Sequence, residues 1–131
     1  MFLKPRWLFA LGAAWNIVIG LSVLFAPLFS LRLLYGYEPS VDDQLLTMLD
    51  RDFACCVLIF GLGYGVVAID PSQNHGLIWL GIIGKLGVVA TLGQRWLAEV
   101  ATAWVLPAAA GDLAFAVLFA CFLWRSNPTH S

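Results

Sequence analysis

Lys85 lies inside GLIWLGIIGKLGVVATLG and Asp112 inside AWVLPAAAGDLAFAVLFACFLW, two stretches that otherwise read as soluble in hydrocarbon. A charge at the centre of a bilayer is costly, and such residues mark proton relays, ion paths and ligand counter-ions. An ammonium and a carboxylate at one depth can neutralise each other, pass a proton, or orient the polar part of a small solute. They can equally serve as a latch that fixes how two helices pack, a role that gives specificity more than stability. The residue types allow both readings.

The elements that must carry this pair follow from composition. The chain has 131 residues, 61% of them hydrophobic and 11% charged, with mean hydropathy +0.87. So small a domain cannot bury that much apolar surface within itself, which makes lipid the expected solvent. In lipid, spanning elements are helices or a closed barrel. The apolar runs are long and continuous rather than short and alternating, so helices are expected. Hydropathy predicts four spans over about 7–27, 53–69, 77–94 and 103–124. The second helix is expected to begin near 41, with Ser40 as N-cap and Asp43 after it, because Leu45, Leu46, Leu49, Phe53 and Cys56 recur at helical spacing. The loops are short, as in Asp70-Pro71-Ser72-Gln73-Asn74-His75-Gly76, which makes successive spans antiparallel. The predicted fold is all-α: an integral membrane four-helix up-down bundle forming a single domain over 1–131.

Counting depth at the helical rise puts Lys85 and Asp112 each about 13–15 Å from the same membrane face. Asn16 falls at a similar level in span one, and Tyr64 in span two lies slightly nearer the other face. The neighbouring small residues agree: Gly12 and Gly20 flank Asn16, Gly61 and Gly65 share span two, Gly81 and Gly84 precede Lys85, and Ala108, Ala109 and Ala116 share the face of Asp112. Small residues at such spacing form helix interfaces in membranes. The expected site is therefore an inward-facing polar cluster of Lys85, Asp112, Asn16 and Tyr64, with Pro107 loosening span four above it. A second group, Asp50-Arg51-Asp52, is expected as ion pairs at the outer mouth of span two, with Arg95 and Glu99 on the same side.

Other function classes recede. A net charge of −1 without a basic cluster offers nothing to nucleic acid. Cys55, Cys56 and Cys121 form no CxxC and lie in apolar runs, where cysteine behaves as a small hydrophobe. His75 and His130 fall in a loop and the tail, so no cofactor, haem or metal is expected. No nucleophile–base pair appears, so no catalytic residue is assigned and an enzyme has the least support. The first apolar run is too long for a signal-peptide core and lacks an A-x-A site, so a retained helix is expected. Lys4 and Arg6 ahead of span one point to both termini being cytoplasmic. Trp7, Trp79 and Trp124 would mark one interface, Trp96 and Trp104 the other.

The motifs Trp15-Asn16 with Gly20 and Pro27, Arg51-Asp52-Phe53, Gly61-Leu62-Gly63-Tyr64, Gly84-Lys85 and Gly111-Asp112 resemble those of small bacterial four-helix inner-membrane proteins. The general build is similar to DoxX-like proteins. That resemblance implies an inner-membrane helix bundle and lends no catalytic residue. Small multidrug transporters share the size and helix count, but this chain lacks a membrane-embedded glutamate in span one. The leading expectation is a structural or accessory subunit of a membrane complex. The alternative is a proton- or solute-handling carrier working at Lys85–Asp112. The expected partners are the lipid bilayer and either further copies of the chain or a larger membrane complex.

Overall fold

The computed structural model describes residues 4–38 and 43–126. Among these residues every regular element is a helix: α1 (Pro5–Phe25), α2 (Pro27–Tyr35), α3 (Gln44–Ile69), α4 (His75–Leu97) and α5 (Val105–Ser126). Four of them, α1, α3, α4 and α5, are long and apolar enough to cross a membrane.

The short α2 was not expected from hydropathy. Pro27 has no amide proton and disfavours helical geometry at Ala26, which takes φ −135° and ψ 60°. The chain therefore leaves α1 and restarts with Pro27 in the first turn of α2, where the missing N–H costs nothing. Arg51 Nε reaches the Leu24 carbonyl, one of those left over at the break, at 3.4 Å. Gly36 ends α2 in the left-handed conformation at φ 61°, its amide bonded to the Arg32 carbonyl. The proposed Ser40 cap lies outside the described residues; the described helix begins at Gln44.

Asp70 stops α3. Its Oδ1 accepts the backbone amide and the hydroxyl of Ser72, and its carbonyl accepts the Asn74 side-chain Nδ2, closing a tight turn into α4. The turn from α4 to α5 uses Glu99 at φ 61°, a conformation that suits glycine. Glu99→Gly should therefore raise stability by about 1 kcal/mol, read as a higher melting temperature in detergent.

Contacts along the helices set the directions. Gly20 meets Leu58 and Gly61 meets Asn16, so α1 and α3 are antiparallel; Gly81 meets Tyr64 and Gly84 meets Phe60, so α3 and α4 are too. Gly12 against Phe119 and Trp15 bonded to Asp112 make α1 and α5 antiparallel. The four long helices thus run up, down, up, down. Gly20 and Gly61 let the α1 and α3 backbones approach closely, with Ala54 fully buried between them.

The core is one-sided. Leu8 and Phe9 of α1, Tyr64 and Val67 of α3, Ile78 and Ile82 of α4, and Phe119 and Phe122 of α5 form one cluster in the half of the bundle that carries the chain ends. Phe9 packs on Phe119 and Phe122 with ring centroids 4.7 and 5.2 Å apart, and Tyr64 meets Phe119 edge-on at 5.1 Å. Trp7, Trp79, Trp96, Trp104 and Trp124 are exposed, while Trp15 turns inward.

Candidate functional site

The polar cluster caps this aromatic core. Lys85 Nζ donates to Asp112 Oδ1 at 2.7 Å and to Asn16 Oδ1 at 3.0 Å. Trp15 Nε1 donates to the same Asp112 oxygen at 3.2 Å, and Asn16 Nδ2 donates to the Val57 carbonyl at 3.1 Å. One network therefore touches all four long helices. Lys85 is 3% exposed, and below it the rings of Tyr64 and Phe115 lie with centroids 5.4 and 5.3 Å from Nζ. Tyr64 contributes its ring face to the ammonium.

Each contact depends on a neighbouring small residue. Gly61 is one turn beyond Val57, and a Cβ there would sit 3.1 Å from the Asn16 Cβ, so glycine lets Asn16 reach the Val57 carbonyl. A Cβ on Gly111 would collide with the Trp15 indole that bonds Asp112. A Cβ on Gly81 would come within 2.5 Å of the Tyr64 ring. The pair Gly111-Asp112 is thus a steric as well as a chemical unit. Gly65 does not follow this pattern: its Cβ position meets nothing within 4 Å. Pro107 also departs from expectation. α5 begins at Val105, so the proline falls in the first turn, where it frees no carbonyl near the cluster.

The second predicted group separates. Asp50, Arg51 and Asp52 are consecutive on α3, and consecutive helical residues do not face one another. Asp50 lines an internal cleft, Arg51 turns to the Leu24 carbonyl, and Asp52 is exposed. Ion pairs join Lys85 to Asp112 and, at 3.1 Å on the surface, Arg32 to Glu38, and among the described residues none joins Asp50, Arg51 and Asp52 to one another. Cys55, Cys56 and Cys121 are free and exposed, and no group of three or more His, Cys, Asp or Glu among the described residues could hold a metal.

Three participants were missed by sequence reasoning: Trp15, the Val57 carbonyl and Phe115. Trp15 carries a signal, since an indole N–H within a membrane span needs an acceptor and its neighbour Asn16 is expected to face inward. The Val57 carbonyl and the Phe115 ring carried none.

Above the cluster the helix pairs part. A cleft of about 960 Å³ runs from Lys85, Asp112 and Asn16 towards the far end of the bundle. Its walls are mainly apolar, with Val57, Phe60, Val88, Leu92 and Ala108 among them, and Arg95, Tyr35 and Asp50 stand near its outer end. This volume is at the upper end of the ~300–1,000 Å³ usual for small-molecule pockets, and apolar walls with a few convergent polar groups are their usual make-up. The helix α2 forms part of the far wall. It is clipped to the α4–α5 turn by Thr102, whose amide donates to the Leu34 carbonyl at 2.7 Å and whose hydroxyl reaches the Leu33 and Leu34 carbonyls. Arg95 adds a bond to the Tyr35 hydroxyl at 2.7 Å. Just beyond α2, the Tyr37 hydroxyl donates to Asp43 at 2.8 Å, and this bond raises the phenol above its ordinary range. Thr102→Val keeps the shape and removes the hydroxyl bonds, so α2 amides should exchange several-fold faster with deuterium while α1 and α3 amides do not change.

No family model, curated protein or solved structure matches this chain. The chemistry of the site therefore rests on its own residues.

Proposed function

We propose that this chain is an integral protein of the bacterial inner membrane, with both termini cytoplasmic, and that it handles a small solute at the Lys85–Asp112 site. The observation that carries this reading is that the cleft ends on the ion pair. A latch needs only helix contacts on every side, whereas here one side of the pair borders about 960 Å³ of largely apolar space. Asp112 keeps 15% of its side chain exposed there. A polar floor beneath apolar walls suits a solute with a polar end and an apolar body.

Reconstitution into proteoliposomes tests it. Wild-type protein should move a member of a broad ion and amphiphile panel, and Asp112→Asn should abolish that movement while the protein stays monodisperse. No movement across the panel, or full movement by the variant, overturns the reading.

A second reading has its own support. The Lys85–Asp112–Asn16–Val57 network joins every long helix and pairs its own charges. A structural or accessory subunit, assembled with copies of itself or a larger complex, would use that network purely as a lock.

A further inference from the structure

We infer that the solute is a neutral, chain-bearing lipid that enters sideways from the bilayer and sets a carbonyl or hydroxyl head on Lys85 and Asp112. This rests on the solute-handling reading and names its substrate class.

Charge selects the head. The floor of the cleft holds one cation and one anion in direct contact, 2.7 Å apart, so it is already balanced. A charged head would bring an unpaired charge to the middle of the membrane, which is strongly unfavourable. A carbonyl or hydroxyl brings only dipoles.

The unfilled hydrogen-bond positions match such a head. Lys85 has three N–H groups, and two of them are taken by Asp112 and Asn16. Both bonds to the Asp112 carboxylate fall on Oδ1, and Oδ2 accepts none among the described residues. Lys85 therefore keeps one N–H, and Asp112 one oxygen, that no other side-chain oxygen or nitrogen engages, and a head bearing both a carbonyl and a hydroxyl matches the two.

The route is a gap between α3 and α4. These helices touch where Gly81 meets Tyr64 and Gly84 meets Phe60. Gly87, which also lines the cleft, meets nothing within 4 Å. On the α3 side of that gap, Leu49 and Phe53 line the cleft and are 55% and 47% exposed. An apolar chain can pass between them without leaving an apolar medium. From Lys85 to Arg95, α4 rises about 15 Å, half the thickness of the hydrocarbon layer, so the chain of a seated lipid would extend from mid-membrane to the far interface.

The test uses the full chain in nanodiscs with a photoreactive monoacylglycerol carrying a diazirine at the chain terminus. Crosslinks should map to the far half of the cleft, at Leu31 or Tyr35. Unlabelled monoolein should compete at roughly tenfold lower concentration than oleyl phosphate or an oleyl trimethylammonium salt. Val88→Trp, which fills the cleft and leaves Lys85 and Asp112 in place, should cut labelling at least about fivefold, and Ala108→Phe on the α5 wall should do the same if the first variant misfolds. Equal competition by the charged amphiphiles, or crosslinks at the floor near Phe60, overturns the neutral-head assignment and leaves a solute cleft standing. Labelling spread over the bundle exterior and unchanged by both filling variants overturns the assignment and the solute-handling reading together.

Discussion

Lys85→Met should destabilise the bundle by about 3–4 kcal/mol, because it leaves the Asp112 carboxylate without its cation in a site that water barely reaches. Asp112 would keep the Trp15 indole bond, which offsets part of the cost. The paired replacement Lys85→Met with Asp112→Leu should recover most of the loss, because buried ion pairs exchanged for apolar residues of similar volume are often neutral or stabilising by about 1–4 kcal/mol. Asn16 would still hold the Val57 carbonyl. Unfolding in mixed detergent micelles measures all three proteins. A single variant as stable as wild type would show that the pair is solvated and that the aromatic layer beneath it does not seal the site.

Gly81→Ala should be the most damaging of the glycine substitutions on α4. Its added methyl would stand 2.5 Å from the Tyr64 ring, where neither partner can yield cheaply. Tyr64 is 2% exposed and is held on its other sides by Phe119 and the Lys85 ammonium. Overpacking of this kind costs about 1–3 kcal/mol. Gly87→Ala is the internal control. It has the same helix and the same change, but open space around the new atom. The helix propensity gained there, up to about 1 kcal/mol, should make that variant neutral or slightly more stable. The difference between the two, measured in the same micelles, isolates packing at the α3–α4 contact from backbone effects. Equal effects would mean that the helices do not touch where Gly81 and Tyr64 place them.

Much of this arrangement could be read from the chain, and the limits of that reading have physical causes. Hydropathy gives three of the long helices to within a few residues of Pro5–Phe25, His75–Leu97 and Val105–Ser126, and helical spacing ahead of the apolar run at 53–69 brings the fourth close to Gln44–Ile69. The constant helical rise and antiparallel neighbours put Lys85, Asp112 and Asn16 at one level, and the glycines beside them point to the inward face. Trp15 escaped because membrane tryptophans are read as interfacial anchors, and five of the six here are indeed exposed. The helix α2 escaped because hydropathy does not see a break made by one proline. Asp50-Arg51-Asp52 has the charges of an ion pair at the membrane surface but not the spacing, since a helix turns consecutive side chains to different directions. The cleft had no local signal. It opens where the helix pairs part, beyond the half in which stacked rings fill the space between them. That separation depends on how Phe9, Phe119, Phe122 and Tyr64 stack, which no period in the sequence encodes.

Transport by the Lys85→Met/Asp112→Leu double variant tests most directly whether the ion pair is a site or a lock. The variant should fold to wild-type stability, since its charges leave together, and it should show no solute movement in proteoliposomes that pass solute with the wild-type chain. A double variant that folds equally well and transports at the wild-type rate would contradict the account and leave the pair as a structural tie between α4 and α5.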